Sequence, residues 1–308
     1  MFAGYSFGEL GSIMAMQGFA GLILFSVFVL MALGLAVIFG QMGVINMAHG
    51  EFMILGAYVT FLTSRLFTTY MPSLFSAYFG VAIVLAFCAA GALGMLVEWA
   101  LIRRLYKRPL DTLLATWGLS LILQQVYRSV FGAREVGVDQ PDWMMGAANL
   151  TDSIQIPING MIVMVLTAFI ALGVYLLIYR MGWGKQVRAV MANRAMAEAV
   201  GIDTELVDRV TFGVGCGIAG VAGSAFTMIG STSPTAGQLY IVDTFLIVVF
   251  GGAASLAGTI ASAFTISQTR STLEFFLSGS MAQVIVLLGV IGILMLRPQG
   301  LFVMKVRR

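Results

Sequence analysis

The sequence predicts an all-α integral membrane protein. Its 308 residues are 59% hydrophobic and 10% charged, with a mean hydropathy of +0.96, whereas ordinary soluble domains run at about 25% charged. Apolar runs recur at the roughly 20 residues a helix needs to cross a hydrocarbon core. The 36 glycines and 20 methionines suit close helix packing in lipid. No soluble domain or long charged tail is legible, so any catalytic engine is expected on another chain.

Taken in order, spans are expected near Gly18–Phe39, Glu51–Phe67, Tyr78–Ile102, Thr112–Phe131, Asn159–Tyr179, Val210–Ile229 and Gln283–Leu296. Met1 to Gln17 lacks the basic residues that begin a cleaved signal peptide. Small residues at i, i+4 spacing (Ala86, Ala90 and Gly94; Gly213 and Gly217; Ala219 and Gly223) predict close helix contacts. Cys88 and Cys216 both lie in apolar segments, so neither a disulfide nor a metal site is expected.

Lys and Arg orient the spans. Arg103, Arg104, Lys107 and Arg108 share one loop; Arg180, Lys185, Arg188, Arg194 and Arg209 share another; Arg297, Lys305, Arg307 and Arg308 close the chain. All three groups are expected in the cytoplasm. The loop 132–157 sets Arg134 against Glu135, Asp139, Asp142 and Asp152, and is expected outside. The basic residues border spans instead of forming a patch interleaved with aromatics, which argues against nucleic acid.

Parity then constrains the last third. An even number of crossings must separate the loop 180–209 from the C-terminus, so Tyr240–Thr265, interrupted at Gly251-Gly252, is either a re-entrant pair or two short crossings. A matching interruption lies at Phe39–Glu51, where Gln41, Asn46, His49 and Glu51 alternate with glycines. Irregular backbone at membrane depth survives where protein or an aqueous cavity surrounds it. Breaks in both halves point to an internal repeat with a pathway between its halves, and to about 8–10 membrane segments in all.

Gly182–Arg209 is the one long polar run that reads as a helix. Val187, Val190, Met191, Ala195 and Ala199 form a slim apolar stripe, and Gly201 ends the run as a C′ residue. It is either a surface helix or one presented to a partner protein.

Few residues invite chemistry. His49, the single histidine, sits with Asn46 and Glu51 where it either bonds neighbouring helices, lines a pathway or relays protons. Glu51 also suits the first turn of a helix. Thr116, Ser120 and Gln124 form a polar stripe with Trp117 beside it, and the indole either bonds a neighbouring helix or lines a path for a small polar solute. Asp243 poses the same alternatives. Asp111 reads as a helix cap, while Glu98 and Arg65 read as snorkelling residues. With no carboxylate pair and no nucleophile matched to a base, catalysis finds no support.

INMAHGEFMILGAYV at 45–59, MAEAVGID at 196–203, VVFGGAASLAGTIASA at 248–263 and LRPQGLF at 296–302 together resemble the permeases of ATP-binding-cassette (ABC) importers for branched-chain amino acids and amides. RPLDTLLATWGLSLILQQ at 108–125 and PDWMMG at 141–146 are more similar to the urea branch, with the branched-chain amino-acid branch as the alternative. The resemblance implies one permease domain over 1–308, with a coupling loop at about 181–209, in a bacterial inner membrane with its C-terminus cytoplasmic. It implies a second, homologous permease, two cytoplasmic ATPases that hold ATP and magnesium, and an extracytoplasmic urea-binding protein. No cofactor is expected in this chain. The resemblance also assigns Ala197, Glu198, Ala199 and Gly201 to ATPase coupling, although the wider coupling motif is only partly present. Arg188 and Arg194 are expected to fix the register of that contact.

Overall fold

The computed structural model describes residues 7–106, 108–151, 154–252, 255–297 and 300. Lys107, Asp152, Lys305, Arg307 and Arg308 from the charge pattern lie outside the described residues, as do parts of the segments 1–17, 248–263 and 296–302. The described chain is almost wholly helical: α1 (Phe7–Met42), α2 (His49–Tyr70), α3 (Tyr78–Ala100), α4 (Pro109–Phe131), a small hairpin of β1 (Ala147–Thr151) and β2 (Ile154–Pro157), α5 (Ile158–Tyr179), α6 (Gly182–Ala192), α7 (Arg194–Ala199), α8 (Thr204–Thr227), α9 (Ala236–Gly251), α10 (Leu256–Phe276) and α11 (Gly279–Leu296). Among the described residues, 6 helical segments are long and apolar enough to cross a membrane.

Two helices form the centre. α1 is buried on opposite faces: Leu30 and Met31 pack with α2, α3 and α8, while Phe28 and Leu33 pack with α9, α10 and α11. α8 is enclosed because its small residues admit backbones. A Cβ on Gly220 would stand 2.6 Å from the Ala86 carbonyl oxygen and 2.7 Å from the Ala90 Cβ, and one on Gly94 would stand 2.7 Å from the Cys216 Cβ. Across α2, Gly56 lies directly against the Gly220 backbone. The expected glycine–alanine seam is therefore the α3–α8 contact, and it reaches α2. Such contacts gain dispersion energy that side chains would otherwise hold apart.

Both interruptions are present. Residues 43–48 link α1 to α2, and the backbone breaks again after α9 at Gly252, where φ is +89°, before Ser255 caps α10 by accepting from the Gly258 amide. The two helix–break–helix units pack reciprocally, α1 along α10 and α2 against α9.

Several boundaries depart from the sequence reading. α1 and α10 overrun their expected limits, Gly18–Phe39 and Thr265. Their extra turns hold each other through polar contacts that hydropathy does not register: Gln17 and Ser271 exchange hydrogen bonds, and Gln268 donates to the Gly18 carbonyl at 3.2 Å. The run 182–209 holds two short helices, α6 and α7, and the first turns of α8, where one helix closed by Gly201 was expected. Asn193 is extended (φ −162°, ψ 105°) and its side chain caps α7 by accepting from the Met196 amide. Gly201 does close that segment, with φ +85°. Asp111 is no cap, because Arg108 occupies the cap position and Pro109 begins the helix; it lies in the first turn, where its charge complements the dipole.

One end of the bundle gathers the ends of α1 and α3, the α3–α4 connection, α6, α7 and the start of α8 around Arg103, Arg104, Arg108 and Arg194. At the other end the 132–157 segment is strapped down. Tyr78 donates to the Asp139 carbonyl (2.7 Å), Trp143 to that of Ser76 (2.9 Å), and Gln140 and Asn159 to that of Met228 (2.7 Å each).

Candidate functional site

The polar residues of the first break converge on α4. Ser120 and Gln124 donate to Glu51 Oε1 at 3.0 and 2.8 Å, and the Tyr127 hydroxyl donates to the Glu51 carbonyl at 2.9 Å. Thr116 accepts from the Met47 amide at 3.1 Å. The side chains that α4 buries are Thr112, Thr116, Ser120, Gln124 and Tyr127, which recur at helical spacing on one face. This helix is thus held to α2 by a hydrogen-bonded seam, with Leu123 and Phe131 packing beside it and Leu114, Trp117, Leu121, Ile122, Val126 and Val130 exposed on its other faces.

Asn46, His49 and Glu51 are all buried. The His49 ring meets the Met31 carbonyl at 3.2 Å and lies beside Gly34, whose added Cβ would stand 3.2 Å from it. Gly34 in turn faces Gly215, midway along α8, so His49 is deep in the bundle. Among the described residues, Asn46 Nδ2, His49 Nδ1, Glu51 Oε2 and the Tyr58 hydroxyl have no hydrogen-bond partner within the chain. A buried polar atom left unpaired is costly, and these atoms include a donor amide and an acceptor carboxylate.

Two candidates stand apart. Trp117 is 51% exposed, one residue round α4 from the seam. Asp243 pairs with Arg270, which also bonds Glu274 at 2.8 Å, while Gln283 donates to Asp243 at 3.3 Å. The seam's missed members are Tyr127 and Tyr58. Tyr127 continues the stripe three residues beyond Gln124; Arg270 gave no signal.

At the basic end, Arg188 donates to the Ile178 carbonyl and stacks on Tyr179, its carbon centre 5.7 Å from the ring. Arg194 donates to Asp208 at 2.6 Å, lies 3.4 Å from Glu198, and stands over the Tyr106 ring at 5.6 Å. Both arginines therefore turn onto the chain itself, because the carbonyl, ring and carboxylate partners lie within reach of α6 and α7. Burial opposes the charge of Arg194, but the Asp208 hydrogen bond and charge outweigh it and raise its pKa. Burial, aided by the charges of Asp208 and Glu98, pushes the Tyr106 hydroxyl well above its usual range. Glu198 accepts from the Thr204 hydroxyl at 2.8 Å. Ala197 is buried while Ala199 and Gly201 are exposed, and Met196 and Val200 expose 62% and 69% of their surface. Glu98 does not snorkel: it is 1% exposed, accepts from Tyr106 at 2.9 Å and faces Arg209 at 3.6 Å.

Residues 18–296 match the family described as the permease component of branched-chain amino acid transport systems. Over 300 residues the chain is 27% identical to the high-affinity branched-chain amino acid transport system permease LivH of Escherichia coli K12, covering 92% of this chain and 94% of that protein. It is 26% identical to the probable LivH permease of Methanocaldococcus jannaschii (95% and 93% covered) and to BraD of Pseudomonas aeruginosa (78% and 80%). No solved structure matches the chain.

Proposed function

Because the chain belongs to the branched-chain amino acid transport permease family, we propose that it is the membrane subunit of an ATP-driven importer that passes a compact solute rich in N–H groups along the α2–α4 seam. The observation that carries this reading is the buried set Asn46, His49 and Glu51, whose unpaired atoms lie where the backbone breaks beside α1 and α8. Glu51 Oε2 would accept from the solute and Asn46 Nδ2 would donate to it, while Thr116, Ser120 and Gln124 hold the seam in register. A passing solute needs few such contacts, since a site that satisfied it fully would retain it.

Two solutes fit. The relatives' names favour branched-chain amino acids, the alternative of the sequence reading, over urea. The chemistry of α4 favours urea: its buried residues, Thr112, Thr116, Ser120, Gln124 and Tyr127, all carry hydrogen-bonding groups. Uptake of labelled leucine and labelled urea, each in competition with the other, separates the two.

The whole chain acts as one permease domain, with 181–209 as its coupling segment. In this reading the basic end faces the cytoplasm, as does the C-terminus, and the membrane is a bacterial inner membrane. Met196 and Val200 supply an apolar contact to a cytoplasmic ATPase, with Glu198, Ala199 and Gly201 shaping the turn. Arg188 and Arg194 anchor the segment to the membrane part. A second homologous permease, a second ATPase and an extracytoplasmic solute-binding protein complete the assembly; ATP and magnesium bind to the ATPases. Uptake measured with a hydrolysis-deficient ATPase tests the reading: it should stop, and uptake at full rate would instead identify a stand-alone channel or carrier.

A further inference from the structure

We propose that Arg194 is a positioning residue for transport, clamping the coupling segment to α3 and α8 through Asp208, Tyr106 and Glu98. The inference rests on the permease reading above and adds how force would leave the segment. α7 buries only Ala197, and α6 buries only Gly184 and Val187, so packing holds these helices weakly. Between them and the bundle lies a cavity of about 880 Å³ lined by Met42, Val190 and Met191 as well as by charged groups. Side-chain pairs bridge it. Arg194 on α7 reaches Asp208 on α8, whose side chain is 6% exposed. The same guanidinium covers the Tyr106 ring, Tyr106 bonds Glu98 on α3, and Glu98 faces Arg209 on α8. Arg103, just beyond α3, pairs with Glu205 at the start of α8.

The route inward is continuous. α3 and α8 share the most extensive helix contact, and Gly220 of α8 touches both Ala86 of α3 and Gly56 of α2. α2 carries Glu51 into the seam with α4. A displaced α7 pulling on Asp208 and Tyr106 would therefore move α8 and α3 together, and α2 with them. Interfaces of this kind shift between discrete packings and do not deform smoothly. Without the clamp, α7 can move across the cavity while the bundle stays still.

The test uses the assembled complex, with its ATPases and solute-binding protein, in vesicles, reading ATP hydrolysis and solute uptake side by side. Arg194→Gln should keep hydrolysis near wild type while uptake falls about tenfold, the scale of one broken side-chain coupling. The exchange Arg194→Asp with Asp208→Arg should recover a large part of the lost uptake. Equal loss of hydrolysis and uptake, no loss of either, or an exchange without recovery would overturn the proposal. If Arg194→Gln does not assemble, Arg194→Lys gives the same readout, since it keeps the charge but not the reach to Asp208 and Glu198 together; an unchanged uptake-to-hydrolysis ratio there also overturns it. Wild-type vesicles without ATP-dependent uptake would sink the permease reading itself.

Discussion

Replacing Glu51 by alanine removes the acceptor shared by Ser120 and Gln124, 3.0 and 2.8 Å away. Side-chain hydrogen bonds within membrane proteins average about 0.6 kcal/mol and reach about 1.7, so two of them amount to about 1–3 kcal/mol. The loss falls on one contact, because the buried face of α4 is polar and the Tyr127 bond goes to the Glu51 main chain, which alanine keeps. α4 should therefore loosen from α2 while α8, enclosed by glycine contacts, stays as it was. Hydrogen exchange reads this directly: amides of Pro109–Phe131 should exchange about 5- to 150-fold faster, with those of Thr204–Thr227 unchanged. Glu51→Gln keeps a side-chain oxygen in the place of Oε1, which takes both bonds, but as a neutral and weaker acceptor, and should fall between wild type and Glu51→Ala. If α4 exchanges at the wild-type rate in Glu51→Ala, the seam does not hold it and the reasoning fails.

Gly220→Val should lower the melting temperature and yield through an overpacking cost of about 1–3 kcal/mol, since the new Cβ would meet the Ala86 carbonyl at 2.6 Å; a normal melt would show that α3 and α8 are free to separate. Asp243→Asn should be more harmful, about 3 kcal/mol or above for a buried pair broken on one side, because among the described residues Arg270 then keeps Glu274 as its one carboxylate partner, beside the Phe28 ring. An unchanged melt would mean that Arg270 finds water. His49→Gln keeps a donor for the Met31 carbonyl, so uptake should stay near normal at every pH; abolished uptake in an intact assembly would point to proton transfer through His49.

Much of the architecture was legible because glycine spacing and hydropathy report on lipid and backbone contact directly. The α3–α8 seam followed from Ala86, Ala90, Gly94 and Gly217, and both breaks from polar and glycine residues inside apolar runs. The last turns of α10 were not legible: Gln268, Thr269, Arg270 and Ser271 lie beyond the apolar segment that was expected to reach Thr265, yet the threonines bond back along the helix, Thr269 to Thr265 at 2.7 Å and Thr272 to Gln268 at 2.8 Å. The stripe Thr116, Ser120 and Gln124 was found by its period, but period alone could not say that its partner was Glu51. Trp117, read as bonding a neighbouring helix or lining a path, is half exposed on α4, away from the face that meets Glu51. The arginines of 182–209 had no visible partners, since Asp208 and Tyr106 become neighbours of Arg194 only when α7 folds back over α8.

The central claim is that an ATPase grips this chain at α7. Single cysteines at Met196 and Val200, in the complex assembled with its ATPases, should cross-link to an ATPase subunit, with a yield that changes when ATP is added and hydrolysed. Cysteines that never cross-link to an ATPase, and that react instead with a membrane-impermeant reagent applied to intact cells, would contradict the account.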